Sequence, residues 1–153
     1  MSTNEIDNYE ELMFGDKKSR WYQIAALHAV EEALEENIMR TLVVHPTGAG
    51  KTLTSGLIFS SHRVRKALGI PADRPLRLLF ASHKHRLLTQ AERTYAAAEN
   101  IEFIPVSVFS DIPEDLEWDI TCIDEAHHEA MLTIQYHLDK IGDKPIIGLT
   151  ATP

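Results

Sequence analysis

The sequence has little of several things that mark specialised proteins. It holds one cysteine, Cys122, in 153 residues. An internal disulfide is therefore impossible, and the residue reads as a small core side chain in the apolar run Ile120, Cys122, Ile123, as suits a reducing cytosol. No apolar stretch approaches the roughly 18 residues that a membrane span needs. Residues 1–11 are acidic, without the basic-then-apolar pattern of a secretory signal. Glycine and proline number only 7 each, too few for a fibrous or low-complexity chain. Net positive charge is also lacking: the formal charge is -8, whereas phosphate-binding surfaces are usually basic.

What remains is the composition of one globular domain, 44% apolar and 25% charged, long enough to bury about two-thirds of its unfolded surface around a single core. Its charge is unevenly spread. Between residues 62 and 93 the basic residues Arg63, Arg65, Lys66, Arg74, Arg77, Lys84, Arg86 and Arg93 face only Asp73 and Glu92, a local balance of +6. Such a cluster is ordinarily a solvated face, so it points to a nucleic-acid partner only in company with other signals.

Residues 1–18 show no steady period and read as a frayed arm or short leading helix. Ile24, Leu27, Val30 and Leu34 recur at three- and four-residue steps, predicting an amphipathic helix over 21–36. Residues 41–45 form a short β-branched run that stops at Pro46, a buried strand ending in a Gly-rich turn. A helix begins at Lys51, and Leu53, Leu57, Val64 and Leu68 carry it as one piece towards Gly69 and Pro71. The alternation then repeats: strand 76–81, helix 86–99, one or two strands over 101–109, strand 120–123, helix 131–141 through Met131, Ile134, Leu138 and Ile141, and strand 146–149. Strands alternating with helices imply βαβ units, hence an α/β fold with a mostly parallel sheet, helices on both faces, and ligands at the carboxyl edge.

Two segments carry chemistry. The first, His45-Pro46-Thr47-Gly48-Ala49-Gly50-Lys51-Thr52, lies between a strand and a helix. Gly48 and Gly50 let the backbone curl so that N–H groups face phosphate oxygens, and the following helix adds its positive dipole end. Lys51 can reach the β and γ phosphates, and the Thr52 hydroxyl can ligate Mg²⁺. The general pattern begins with Gly where this chain has His45. The second segment, Ile123-Asp124-Glu125-Ala126-His127-His128, follows an apolar strand. It places Asp124 at the carboxyl edge to hold Mg²⁺ through a water, and Glu125 beside it to accept a proton from attacking water. A zinc site of His127, His128 and Glu129 lacks a second ligand pair at metal spacing.

In their order along the chain, 46–52, 124–127 and Leu149-Thr150-Ala151-Thr152-Pro153 resemble motifs I, II and III of superfamily 2 helicases. Arg20-Trp21-Tyr22-Gln23 resembles the glutamine motif, Ala81-Ser82-His83-Lys84-His85-Arg86 resembles motif Ia, and residues 106–110 loosely resemble motif Ic. The wording of motifs II and III is most similar to restriction-enzyme motor subunits and to bacterial or phage DNA-repair helicases of the DEAH type, cytoplasmic or nucleoid-associated proteins.

The resemblance implies a RecA-like P-loop domain over residues 19–153, preceded by the arm 1–18, truncated after motif III and missing a second motor domain. It implies ATP and Mg²⁺ as cofactors and nucleic acid, DNA rather than RNA, as partner. Catalysis falls to Lys51, Asp124, Glu125 and His127. Nucleotide binding falls to Arg20, Gln23, Pro46, Thr47, Gly48, Ala49, Gly50, Lys51 and Thr52, with Gln23 reading the adenine edge and Tyr22 beside it. Thr52 and Asp124 would hold the metal. Ser82, His83, Lys84 and Arg86 would touch the nucleic-acid backbone, and Thr150 and Thr152 would couple the two sites. The family's strand order further implies that strand 146–149 lies between strands 41–45 and 120–123. A stand-alone nucleotide or nucleic-acid binding module, or an RNA helicase fragment, is the alternative.

Overall fold

A computed structural model describes residues 12–45, 50–82, 84–107, 112–124 and 141–151. Its elements are β1 (Met13–Phe14), β2 (Lys17–Lys18), α1 (Trp21–Glu35), β3 (Arg40–Val44), α2 (Lys51–Ser60), α3 (His62–Ala67), β4 (Leu76–Ser82), α4 (His85–Tyr95), β5 (Ile101–Ser107), β6 (Ile120–Asp124) and β7 (Ile146–Thr150). The last four strands named, with β3, give one parallel sheet in the order β3-β7-β6-β4-β5. β7 thus lies between β3 and β6, as the family's strand order implies: Val43 pairs with Leu149, and Ile123 pairs with Gly148.

The sheet is sandwiched because successive side chains of a strand face opposite sides. Leu76, Leu78 and Phe80 of β4, Ile120 and Cys122 of β6, and Ile147 and Leu149 of β7 join the core shared with α1, α2, α3 and α4. Their neighbours Leu79, Ile123 and Ile146 point the other way, into a second cluster with Ile112, Trp118 and Ile141. The helix expected over 131–141 falls, except for Ile141, outside the described residues. Cys122 is buried in the first core, and burial pushes its thiol well above the ordinary range, which suits an inert packing residue.

Two sequence expectations change. The single helix expected after Lys51 is two, because Ser61 leaves helical geometry and caps α3 by accepting from the Val64 N–H. Its hydroxyl also donates to Glu31, a buried carboxylate of α1 that is flanked by His28 at 2.9 Å. The apolar spacing from Leu57 to Val64 runs through this break, so periodicity alone conceals it. Residues 12–18, expected as arm or helix, instead form the antiparallel hairpin β1–β2, turning at Gly15 with φ +63°. Reciprocal bonds between Leu12 and Ser19 close its base.

The hairpin belongs to the core, because its Phe14 is buried against the Tyr95 ring at 5.4 Å and lies over Gly56 of α2. A Cβ at position 56 would stand 2.5 Å from that ring. Gly56→Ala should therefore lower stability by about 1–2 kcal/mol, overpacking outweighing the better helix propensity of alanine. Urea unfolding checks this, and a stabilised variant would show that the hairpin yields freely.

Candidate functional site

Three strand ends and one helix start build the site. β3 runs out at Val44, β6 at Asp124 and β7 at Thr150, all at the carboxyl edge, where α2 begins at Lys51. Gly50 precedes it in the left-handed conformation, φ +75° and ψ +49°, which other residues adopt only with strain. A Cβ there would also meet the Gln23 amide nitrogen at 2.6 Å, so position 50 needs glycine on two counts. The Lys51 ammonium lies 3.6 Å from Oδ1 of Asp124, both side chains being mostly buried. A cation and a carboxylate from segments far apart in sequence thus meet at the first turn of a helix, the chemistry that a phosphate chelated to a divalent cation requires. Thr52, half-buried, follows Lys51 in that turn. The donor set fits a magnesium nucleotide.

Gln23 is the residue expected at the adenine edge. It is 2% exposed, and its amide is engaged within the chain. The oxygen accepts from the Arg20 N–H at 2.7 Å, and the nitrogen donates to the Gly50 carbonyl at 3.1 Å. Arg20 itself is exposed at the start of α1.

His45, noted in the sequence only as a departure from pattern, is 5% exposed. Its ring meets Tyr22 edge-on at 5.5 Å and Thr54 Oγ1 at 3.0 Å, and the His45 backbone N–H donates to the Thr150 carbonyl at 2.9 Å. Burial, opposed by a bond with the Val44 backbone and aided by Lys51, lowers its pKa below the usual histidine range. A signal for this hub stands in the sequence: Thr54, Ser55 and Gly56 are small or polar residues on what proves the buried face of α2.

The basic segment is less basic than its residue count. Arg65 is buried, its guanidinium donating to the carbonyls of Asn100, Pro71 and Arg74. Arg74 grips Asp119 with two bonds of 2.8 and 2.9 Å. Arg63 pairs with Glu35 and Glu31, and Arg77 with Glu102 and Glu117. Lys84, Arg86 and Arg93 are exposed and make no ion pair among the described residues. Ser82, expected at the nucleic-acid backbone, is instead fully buried, its hydroxyl accepting from the Lys84 N–H at 3.3 Å.

Pro46, Thr47, Gly48, Ala49, His83, Glu125, His127 and Thr152 lie outside the described residues. Thr150 is buried at the end of β7, directly beside Val44 in register. Among the described residues there is no cluster of three or more His, Cys, Asp or Glu that could hold a metal ion, and no helix is long and apolar enough to cross a membrane.

Comparison with known proteins agrees with this geometry. No curated protein sequence matches the chain significantly. Among solved structures, the SWI2/SNF2 ATPase core of Sulfolobus solfataricus, solved with dsDNA, is similar with a TM-score of 0.62 at 18% identity, over 95% of this chain and 35% of that one. A fragment assigned as the HsdR subunit of a type I restriction enzyme from Vibrio vulnificus YJ016 gives 0.57 at 21%, over 88% and 26%. The large terminase of bacteriophage HK97 gives 0.53 at 11%, over 96% and 36%. The chain therefore spans about a third or less of the solved chains it matches, which share its RecA-like fold. Residues 16–111 match the family described as type III restriction enzyme, res subunit. That match spans more than half of the chain, and the chain belongs to this family.

Proposed function

We propose that the chain is the ATP-binding motor domain of a DNA helicase or translocase, in which hydrolysis of Mg-ATP is coupled to movement along nucleic acid. The observation that carries this reading is the meeting of Lys51 and Asp124 at 3.6 Å beside the start of α2. Lys51 is suited to neutralise the β and γ phosphates, and backbone N–H groups at the start of α2 are suited to receive them. Thr52 and Asp124 would hold Mg²⁺, which when bound offsets negative charge on the phosphate oxygens. Glu125, one residue beyond β6, would take the proton of the attacking water.

Thr150 and Thr152 would pass the state of the nucleotide to the nucleic-acid track, since β7 stands between the strands that carry Lys51's loop and Asp124. A second RecA-like domain in the whole protein would supply an arginine to the γ-phosphate, a contribution of several orders of magnitude in rate.

DNA as the partner is supported by the bound duplex in the SWI2/SNF2 structure and by the exposed cations Lys84 and Arg86 at the carboxyl edge of the sheet. The test is a salt titration of single-stranded and duplex DNA binding by a protein carrying both motor domains. Lys84→Ala and Arg86→Ala should each weaken binding for all sequences alike and lower the slope of log affinity against log salt by about one unit, because one fewer counterion is released. Base preference should not change. Two variants that bind as wild type at every salt concentration would remove these residues from the track.

A further inference from the structure

The imidazole of His45 and the hydroxyl of Thr54 have no part in the chemistry assigned above, yet they join the two chain segments that flank residues 46–49. His45 directly follows β3, and Gly50 directly precedes α2. Thr54 Oγ1 lies 3.0 Å from His45 Nε2 and donates to the Gly50 carbonyl at 3.3 Å. A hydroxyl has one proton, so a bond to both requires that the ring present Nε2–H. Thr54 is fully buried and His45 nearly so. Adjacent residues of α1 brace the same two points from behind: Tyr22 packs on the His45 ring, and Gln23 donates to the Gly50 carbonyl.

We propose that His45 and Thr54 are positioning residues of the nucleotide site. One buried hydroxyl ties the end of β3 to the start of α2, fixing the separation of the two anchor points between which the phosphate-binding residues 46–49 are strung. This inference rests on the nucleotide reading above. Preorganisation is its physical basis: a site whose anchors are already spaced loses less freedom when ligand binds. The tie contributes to affinity through geometry, with neither side chain touching the nucleotide.

Removing Thr54 alone leaves the buried Nε2–H of His45 without its acceptor, which destabilises the fold for reasons unrelated to binding. The informative variant replaces both, His45→Phe with Thr54→Val, because paired apolar replacement is close to neutral for stability. Mg-ADP affinity is measured by calorimetry on the whole chain, with urea unfolding of the same samples. The double variant should unfold near the parent midpoint and bind about three- to tenfold more weakly, the worth of one hydrogen bond. Thr54→Ser, which keeps the hydroxyl, and His45→Gln, which keeps a donor near the Nε2 position, should bind within about twofold of the parent. A double variant that binds as tightly as the parent overturns the inference, and so does a Thr54→Ser variant that loses as much affinity as the double variant. A parent chain that fails to bind Mg-ADP overturns the nucleotide reading itself, and the inference with it.

Discussion

Lys51→Ala is expected to weaken Mg-ATP binding by about two orders of magnitude or more, beyond calorimetric detection, while the sheet stays folded. The ammonium lies 3.6 Å from the Asp124 carboxylate at the start of α2. A charge this little exposed is poorly screened, so its removal deprives a multiply charged ligand of a contact that water does not replace. Alanine is a good residue for the first turn of a helix, but the variant leaves the carboxylate of Asp124, 8% exposed, without its lysine. Some stability should be lost, on the order of 1–3 kcal/mol. Adding Asp124→Asn separates the two effects: the double variant should regain stability in urea unfolding without regaining ligand. Unchanged nucleotide affinity in Lys51→Ala would place the site elsewhere.

Glu125→Gln should do the converse. The substitution keeps size and hydrogen-bonding reach but removes the capacity to accept a proton, so Mg-ATP binding should persist while hydrolysis falls by about 10²- to 10⁴-fold. Glu125 lies outside the described residues, but the residue before it closes β6 at the carboxyl edge, paired in register with Leu149. The measurement is single-turnover phosphate release by a protein with both proposed motor domains, since an arginine from the second would raise the rate. Wild-type turnover would show that another group takes the proton.

Much of this was legible from local chemistry. Strands 76–82 and 120–124 announce themselves as apolar runs because both of their faces are buried, and the Gly-rich turn before Lys51 needs no tertiary context to be read. The place of β7 between β3 and β6 came from resemblance, since no local pattern states which strands pair. What stayed hidden depends on contacts distant in sequence. The break at Ser61 is set partly by Glu31 on another helix, and the hairpin is held by Phe14 packing over Gly56. The basic segment misled for the same reason: Arg63, Arg74 and Arg77 find their carboxylates at Glu35, Asp119, Glu102 and Glu117, all outside it. The polar burial of Gln23 and His45 was likewise invisible, because each is satisfied by backbone or hydroxyl groups that only the fold brings near.

The insertion of β7 between β3 and β6 also sets the order in which the molecule can be assembled. Among the described residues β3 is an edge strand whose one lateral neighbour, β7, is made about a hundred residues later. A ribosome adding about 5–20 residues per second leaves β3 unpaired for several seconds, while β4 and β5 can already join each other. During that interval Leu42 and Val44, exposed even in the finished sheet, sit on a strand with both edges open to other chains. β3, which leads into the segment proposed to bind phosphate, is thus made early and paired only after translation has passed residue 150.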